Sequence, residues 1–306
     1  MMATSTEPDS QHRAERRGLL VSLVAGLGLA TFGIVVGVLI DSQIILFNGY
    51  FTLLGVGLTW MALRVSRVVV AGPTARYPFG REALTPISIG FGGVALLATC
   101  VYAGIDAVLT IVAGGSDPPG AASVVYAVLT LVCAGGLAWY LRRSASASEL
   151  ARAEATQWRA SGLLSVGMLV AFVVALVIEG SRWAHAARYI DPTLVIIACL
   201  AMAATPAQMI RATFTELIEG LPEEELQRPV REVVDEVRSH YDLGDMHLRM
   251  SKLGPKLYVE IDFVVAPDWS VIRSDEVRHR LRAALEELPQ DVWITVEFTT
   301  DPDWGE

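Results

Sequence analysis

Six times along this 306-residue sequence an apolar run recurs, near residues 18–40, 43–63, 84–112, 121–141, 158–178 and 189–210. At about 1.5 Å of rise per residue, a helix of ~20 residues spans about 30 Å, the thickness of a bilayer's hydrocarbon. In lipid every backbone polar group must be satisfied inside its own segment, so six such runs dictate a bundle of membrane-crossing α-helices. The third run exceeds what a bilayer requires and is expected to tilt or protrude. A composition that is 53% hydrophobic and 19% charged agrees, being too apolar for an ordinary soluble domain. Residues 1–17 form a polar tail carrying Arg13, Arg16 and Arg17. The run that follows, Leu19–Ile40, is longer than the apolar part of a signal peptide. It ends at Asp41-Ser42 rather than at a small-residue cleavage site, so it is expected to stay as the first helix.

Charge sets the expected orientation. Basic residues gather in the N-terminal tail, in the second-to-third connection (Arg64, Arg67, Arg76, Arg81) and in the fourth-to-fifth (Arg142, Arg143, Arg152). The alternate connections carry Asp41, Asp117, and Arg182 with Arg188. Six spans with both termini in the cytoplasm satisfy the positive-inside rule, with a bacterial inner (plasma) membrane as the expected location. Residues 1–211 hold 14 Lys and Arg against 11 Asp and Glu, whereas residues 212–306 hold 10 against 22. The chain therefore reads as a six-helix membrane domain over 18–211, slightly basic, followed by an acidic soluble domain over 212–306. An acidic domain argues against nucleic-acid binding and could attract cations.

The soluble domain reads as α/β. Glu223–Tyr241 places Leu226, Val230, Val233, Val234 and Val237 at helical spacing, with Pro222 near its start. Met246–Ser251 and Lys256–Val265 read as strands joined by a turn at Leu253-Gly254-Pro255. A second helix follows over Ser270–Leu288, and a third strand over Asp291–Thr299. The order αββαβ puts helices on one face of a small sheet and leaves the other face as a candidate dimer surface.

Few residues carry chemistry at membrane depth. Asn48 and Thr52 lie one helical turn apart on the second run, hence on one face. Two readings stand: a helix–helix hydrogen bond, the commoner use of such residues, or part of a pathway. Asp106 sits deep in the third run and is functional by default unless that run ends early, when it would be interfacial. Glu154 and Glu179 are expected to bracket the fifth helix, with Glu154 a possible guard of the inner vestibule. Asp191, followed by proline, suits a helix cap as well as a cation gate. Gly90, Gly92 and Gly93 read as close-packing residues. Cys100, Cys133 and Cys199 all lie in apolar runs with no CxxC or Cys–His spacing; burial as small hydrophobes is the expectation and soft-metal ligation the alternative. No P-loop, dinucleotide fingerprint, HExxH, GxSxG or nucleophile–base set is present, so neither enzymatic activity nor a resident cofactor is expected.

Four stretches, SQIILFNGYFTLLGV (42–56), RYPFGREALTPI (76–87), AEATQWRASGLLSVGMLVAF (153–172) and YIDPTLVIIACL (189–200), resemble the cation diffusion facilitator (cation efflux) family. HLRMSKLGPKLYVEIDFVV (247–265) is similar to that family's cytoplasmic ferredoxin-like domain. The resemblance implies a homodimer that exports a divalent metal cation, usually by proton antiport. It also implies two metal ligands four apart on the second helix and two on the fifth. Those positions correspond here to Phe51 and Gly55, and to Gln157 and Ser161, with Asn48 at a neighbouring acidic position. None offers a carboxylate or imidazole. The nearest substitute is a neutral set, Asn48 and Thr52 facing Gln157 and Ser161, better matched to a hard, weakly held or partly hydrated ion than to tightly bound zinc. In the soluble domain the resemblance points to His247, Asp262 and Asp301 as a candidate cation sensor, with a solvated surface as the plainer reading. The expected function is cation efflux by alternating access; the alternative is a non-transporting membrane dimer that senses ions or acts as a scaffold.

Overall fold

The computed structural model describes residues 7–144, 149–179, 181, 182, 184–289 and 291–305, the side chains of 7–19, 144, 149–154 and 305 excepted. The arginines of the N-terminal tail, Arg152 and Glu154 therefore lie outside the described side chains. The helices are α1 (Glu7–Leu39), α2 (Gln43–Val70), α3 (Leu84–Val112), α4 (Ala121–Ser144), α5 (Glu149–Glu179), a single turn α6 (Ala184–Ala187), α7 (Ile190–Met202) and α8 (Ala204–Leu217). They supply six segments long and apolar enough to cross a bilayer, the sixth running through α7 and α8 as Ile190–Leu217.

Two details depart from the sequence reading. α2 continues to Val70, so Arg64 and Arg67 lie on its last turns rather than in a loop. The sixth segment is interrupted at Ala203. Its cause is Pro206, which has no N–H to offer Met202, four residues back, and whose ring crowds that carbonyl. The helix closes with the Ala203 N–H on the Cys199 carbonyl and restarts at Ala204.

Contacts divide the chain into two compact units. Of the described residues, one holds those up to 60 and those of 95–206; the other holds those of 61–94 and those from 207 on. In the first, Ile44, Ile45 and Phe47 of α2, Cys100 and Ala107 of α3, Tyr126 and Ala127 of α4, Met168 and Phe172 of α5, and Val195 and Cys199 of α7 form one buried cluster. Its outer surface is apolar: Val24, Tyr102, Leu163, Val177 and Leu200 are exposed, as lipid-facing side chains are. α1 and α2 approach backbone to backbone at Gly49, where a Cβ would stand 2.8 Å from the Ile34 nitrogen. Trp158 of α5 donates to the Ser22 hydroxyl of α1 at 2.7 Å, satisfying a buried indole.

The second unit contains α9 (Glu224–Tyr241), β1 (Met246–Leu253), β2 (Lys256–Val264), α10 (Val271–Glu286) and β3 (Asp291–Thr299), the αββαβ order expected, then a 3-10 turn over Pro302–Gly305. The strand order is β1-β2-β3, with β1 antiparallel and β3 parallel to β2. Leu257, Val259, Ile261 and Phe263 alternate on β2, so all four face one side. There they pack with Val230, Val234 and Val237 of α9 and Val277, Leu281 and Leu285 of α10. Ser270 caps α10 by accepting the Arg273 N–H at 3.2 Å.

Candidate functional site

The polar pair on α2 is drawn toward α4. The Asn48 amide Nδ2 donates to the Tyr126 hydroxyl at 3.1 Å, and the Thr52 hydroxyl donates to the Asn48 carbonyl at 2.7 Å. Tyr126 is fully buried, so Asn48 gives its hydroxyl oxygen a partner that the surrounding side chains, Phe32 stacked at 5.6 Å among them, cannot. On α5, Gln157 is exposed and Ser161 half-buried, and the Ser161 carbonyl accepts the Ser165 hydroxyl at 3.0 Å. Among the described residues no hydrogen bond joins the α2 pair to the α5 pair. Phe51 packs against the apolar cluster of the first unit, with its ring 5.6 Å from that of Phe47, while Gly55 faces open space. Tyr126, the partner of Asn48, carries no signal in the sequence, where it is one tyrosine in an apolar run.

A second polar group forms where α2 and α7 begin and α3 ends. Asp191, 2% exposed, accepts the Ser42 hydroxyl and the Gln43 backbone N–H, both at 2.6 Å. The first N–H groups of a helix have no partner inside it, so Asp191 caps α2 from another helix, not its own. The Gln43 side chain donates on to Asp106 and to Thr110, each at 2.7 Å. Asp106 is exposed and level with the first residue of α2. α3 itself runs on six residues further, to Val112. Glu179 is likewise exposed, at the last residue of α5.

In the soluble domain the register sets His247 opposite Asp262, and Asp262 opposite Glu297. Directly opposed residues share a face, so the third member of this row is Glu297, not Asp301. Asp301 is exposed and accepts the Asp303 N–H at 3.1 Å, a local turn contact. Asp262 is buried and accepts from the Arg249 guanidinium at 3.0 Å; Glu260 lies 3.7 Å from the same group. Arg249 thus supplies the positive charge a metal would bring. Among the described residues no group of three or more His, Cys, Asp or Glu is placed to hold a metal ion.

A third polar arrangement lies wholly in the second unit. Glu82, buried just before α3, and Lys256, partly buried at the opening of β2, form an ion pair at 2.9 Å. Burial resists the charge on Glu82, but the Lys256 ammonium and a backbone hydrogen bond outweigh it and hold the carboxyl below its ordinary 4.5. The Glu82 hydrogen bond in turn raises Lys256 above its ordinary 10.5, against the pull of burial. The β1–β2 turn fits here because Gly254 adopts φ +60° and a Cβ would meet the Glu82 carbonyl oxygen at 2.7 Å. The Gly254 N–H donates to Glu216 of α8 at 3.1 Å, and Lys252 pairs with the same carboxylate at 3.4 Å.

A six-span helical membrane domain joined to a small three-stranded α/β domain defines a polytopic membrane protein with an appended soluble domain. Residues 19–218 match the cation efflux transmembrane domain, and residues 222–298 match the cytoplasmic domain of cation efflux proteins. No curated protein matches the chain. The chain belongs to the cation efflux, or cation diffusion facilitator, family: an integral membrane protein of cation transport.

Proposed function

We propose that this chain exports a divalent cation by alternating access, with protons moving the other way, and that it works as a homodimer. The match over both domains carries the reading. The ion would pass α2 and α5 on neutral oxygens, those of Asn48, Thr52, Gln157 and Ser161. Oxygens without formal charge favour a hard cation that keeps part of its water, because they do not repay full dehydration of a 2+ ion. Tyr126 holds the Asn48 amide by its nitrogen, and the amide oxygen is the atom that would meet the ion. A second reading, a membrane dimer that senses ions or serves as a scaffold, draws on one observation: Phe51, Gly55, Gln157 and Ser161, at the transport-ligand positions of α2 and α5, offer no carboxylate or imidazole.

Flux in proteoliposomes with a trapped pH dye and a panel of divalent and monovalent cations separates the two. Protein-dependent flux of a divalent cation, with opposed proton movement, is expected. Asn48→Leu should lower it at least about tenfold, the effect of ~1.4 kcal/mol on the barrier. Tyr126→Phe, which keeps the amide oxygen, should lower it by no more than about threefold, what a hydrogen bond of ~0.6 kcal/mol is worth. No flux of any cation from folded protein would move the assignment to the sensor or scaffold.

A further inference from the structure

Cys100 and Cys199 come from different helices, α3 and α7, and both are buried and free. Each lies well inside its membrane segment, Leu84–Val112 and Ile190–Leu217. Both belong to the buried cluster of the first unit, and both line one groove. Beside them runs a groove of about 390 Å³ whose remaining walls are apolar or backbone, among them Leu97, Val101, Gly104, Ile196 and Leu200. Val101 and Leu200 are 54% and 74% exposed, so the groove opens on the lipid-facing surface. Nothing in the cation path or in the family match uses this pair.

We propose that Cys100 and Cys199 form a dithiol site for a thiophilic divalent ion that accepts two ligands, of which mercuric ion is the type, bridging α3 to α7. Three physical arguments select that ion. Sulfur donors favour soft metals over calcium or magnesium, which need six or more oxygens. Zinc takes four ligands, and this site supplies two. The surroundings are apolar, so the bound species must be neutral: two thiolates on a 2+ ion cancel, whereas two thiolates on a 1+ ion leave a buried negative charge. A neutral mercuric halide can enter from the lipid side. Two S–H and two Hg–Cl bonds then break, two Hg–S bonds form, and two protons and two chlorides leave. No electrons are transferred. The bridge ties the two helices without adding charge to the bilayer interior.

Cys133 is exposed on α4, so the test uses the full-length Cys133→Ser protein in detergent, titrated with mercuric chloride and washed with a monothiol in large excess. Free thiols, counted after denaturation, and retained mercury give the stoichiometry. Two thiols lost for each mercuric ion retained is the expected result, with cadmium and zinc removed by the same wash. Cys100→Ala and Cys199→Ala in that background should each release mercury to the monothiol. One thiol lost per ion in the Cys133→Ser protein, or mercury kept equally by both single variants, overturns the proposal. The thiol count needs neither single variant to fold. It is a binding measurement, so it stands or falls apart from transport.

Discussion

Two acids show how little a residue's type says about its work. Asp191 and Glu82 are both buried carboxylates, yet one caps a helix and the other closes an ion pair. Removing one partner of a buried pair leaves an uncompensated charge, so Lys256→Met should destabilise the protein by about 3–5 kcal/mol. Changing both, Glu82→Leu with Lys256→Met, should recover most of that loss, since a buried pair is often replaceable by apolar groups. Thermal unfolding followed by tryptophan fluorescence would show the single variant melting well below the double. The pH dependence follows from the two shifts. The pair's contribution from Glu82 is present above 4.5 and fades as pH falls through its lowered folded value. The contribution from Lys256 is present below 10.5 and fades as pH rises through its raised folded value. The wild type should hold a plateau between those limits that Lys256→Met lacks.

Among the helices, the order of construction is set by close approach and by proline. α1 meets α2 at a glycine because no larger residue fits: a Cβ on Gly49 would press on backbone atoms of Ile34 and Ala30, which cannot step aside as a side-chain tip can. Small residues at such crossings let helices gain packing contact where lipid offers no hydrophobic drive. Gly49→Ala should therefore cost about 1–3 kcal/mol, the usual range for overpacking. Gly55→Ala, one helix position that faces open space, should be neutral or slightly stabilising through helix propensity, by up to ~1 kcal/mol. Comparing the two variants' apparent melting temperatures in one detergent checks the contrast. Gly90 of α3 is also tight, but there a Cβ would meet the Thr213 side chain, at 2.6 Å, rather than backbone. Pro206 was written in the sequence too, but only a helix already in place turns it into the break at Ala203.

For the whole molecule the sheet's second face matters most. α9 and α10 cover one side; the other carries Tyr258, Glu260 and Asp262 beside Trp293, Thr295 and Glu297 in register. Trp293 is 45% exposed there, with the Lys256 ammonium 5.6 Å from its ring. Buried aromatic residues dominate protein interfaces, so if two copies meet on this face Trp293→Ala should weaken dimerisation by about 2 kcal/mol or more. Sedimentation of the detergent-solubilised full chain across a dilution series would show the wild type as a dimer and the variant dissociating at higher concentration. A variant as dimeric as the wild type would place the contact elsewhere.

The sequence by itself determined the six spans, the αββαβ order and the apolar face of β2. Those follow from run length and from periods of 3.6 and 2, which are local properties. It also pointed to Asn48 and Thr52 as a one-turn pair, and to Gly90 as a close-packing residue. Only the tertiary structure decided what these residues touch. Asn48 meets Tyr126 across 78 positions, Asp191 caps α2 across 148, Glu82 finds Lys256 across 174, and Cys100 shares a groove with Cys199 of another helix. Such pairings have no period, because they depend on how finished elements dock. A polar group left alone in a low-dielectric interior is costly, so each takes whichever partner the packing brings within reach.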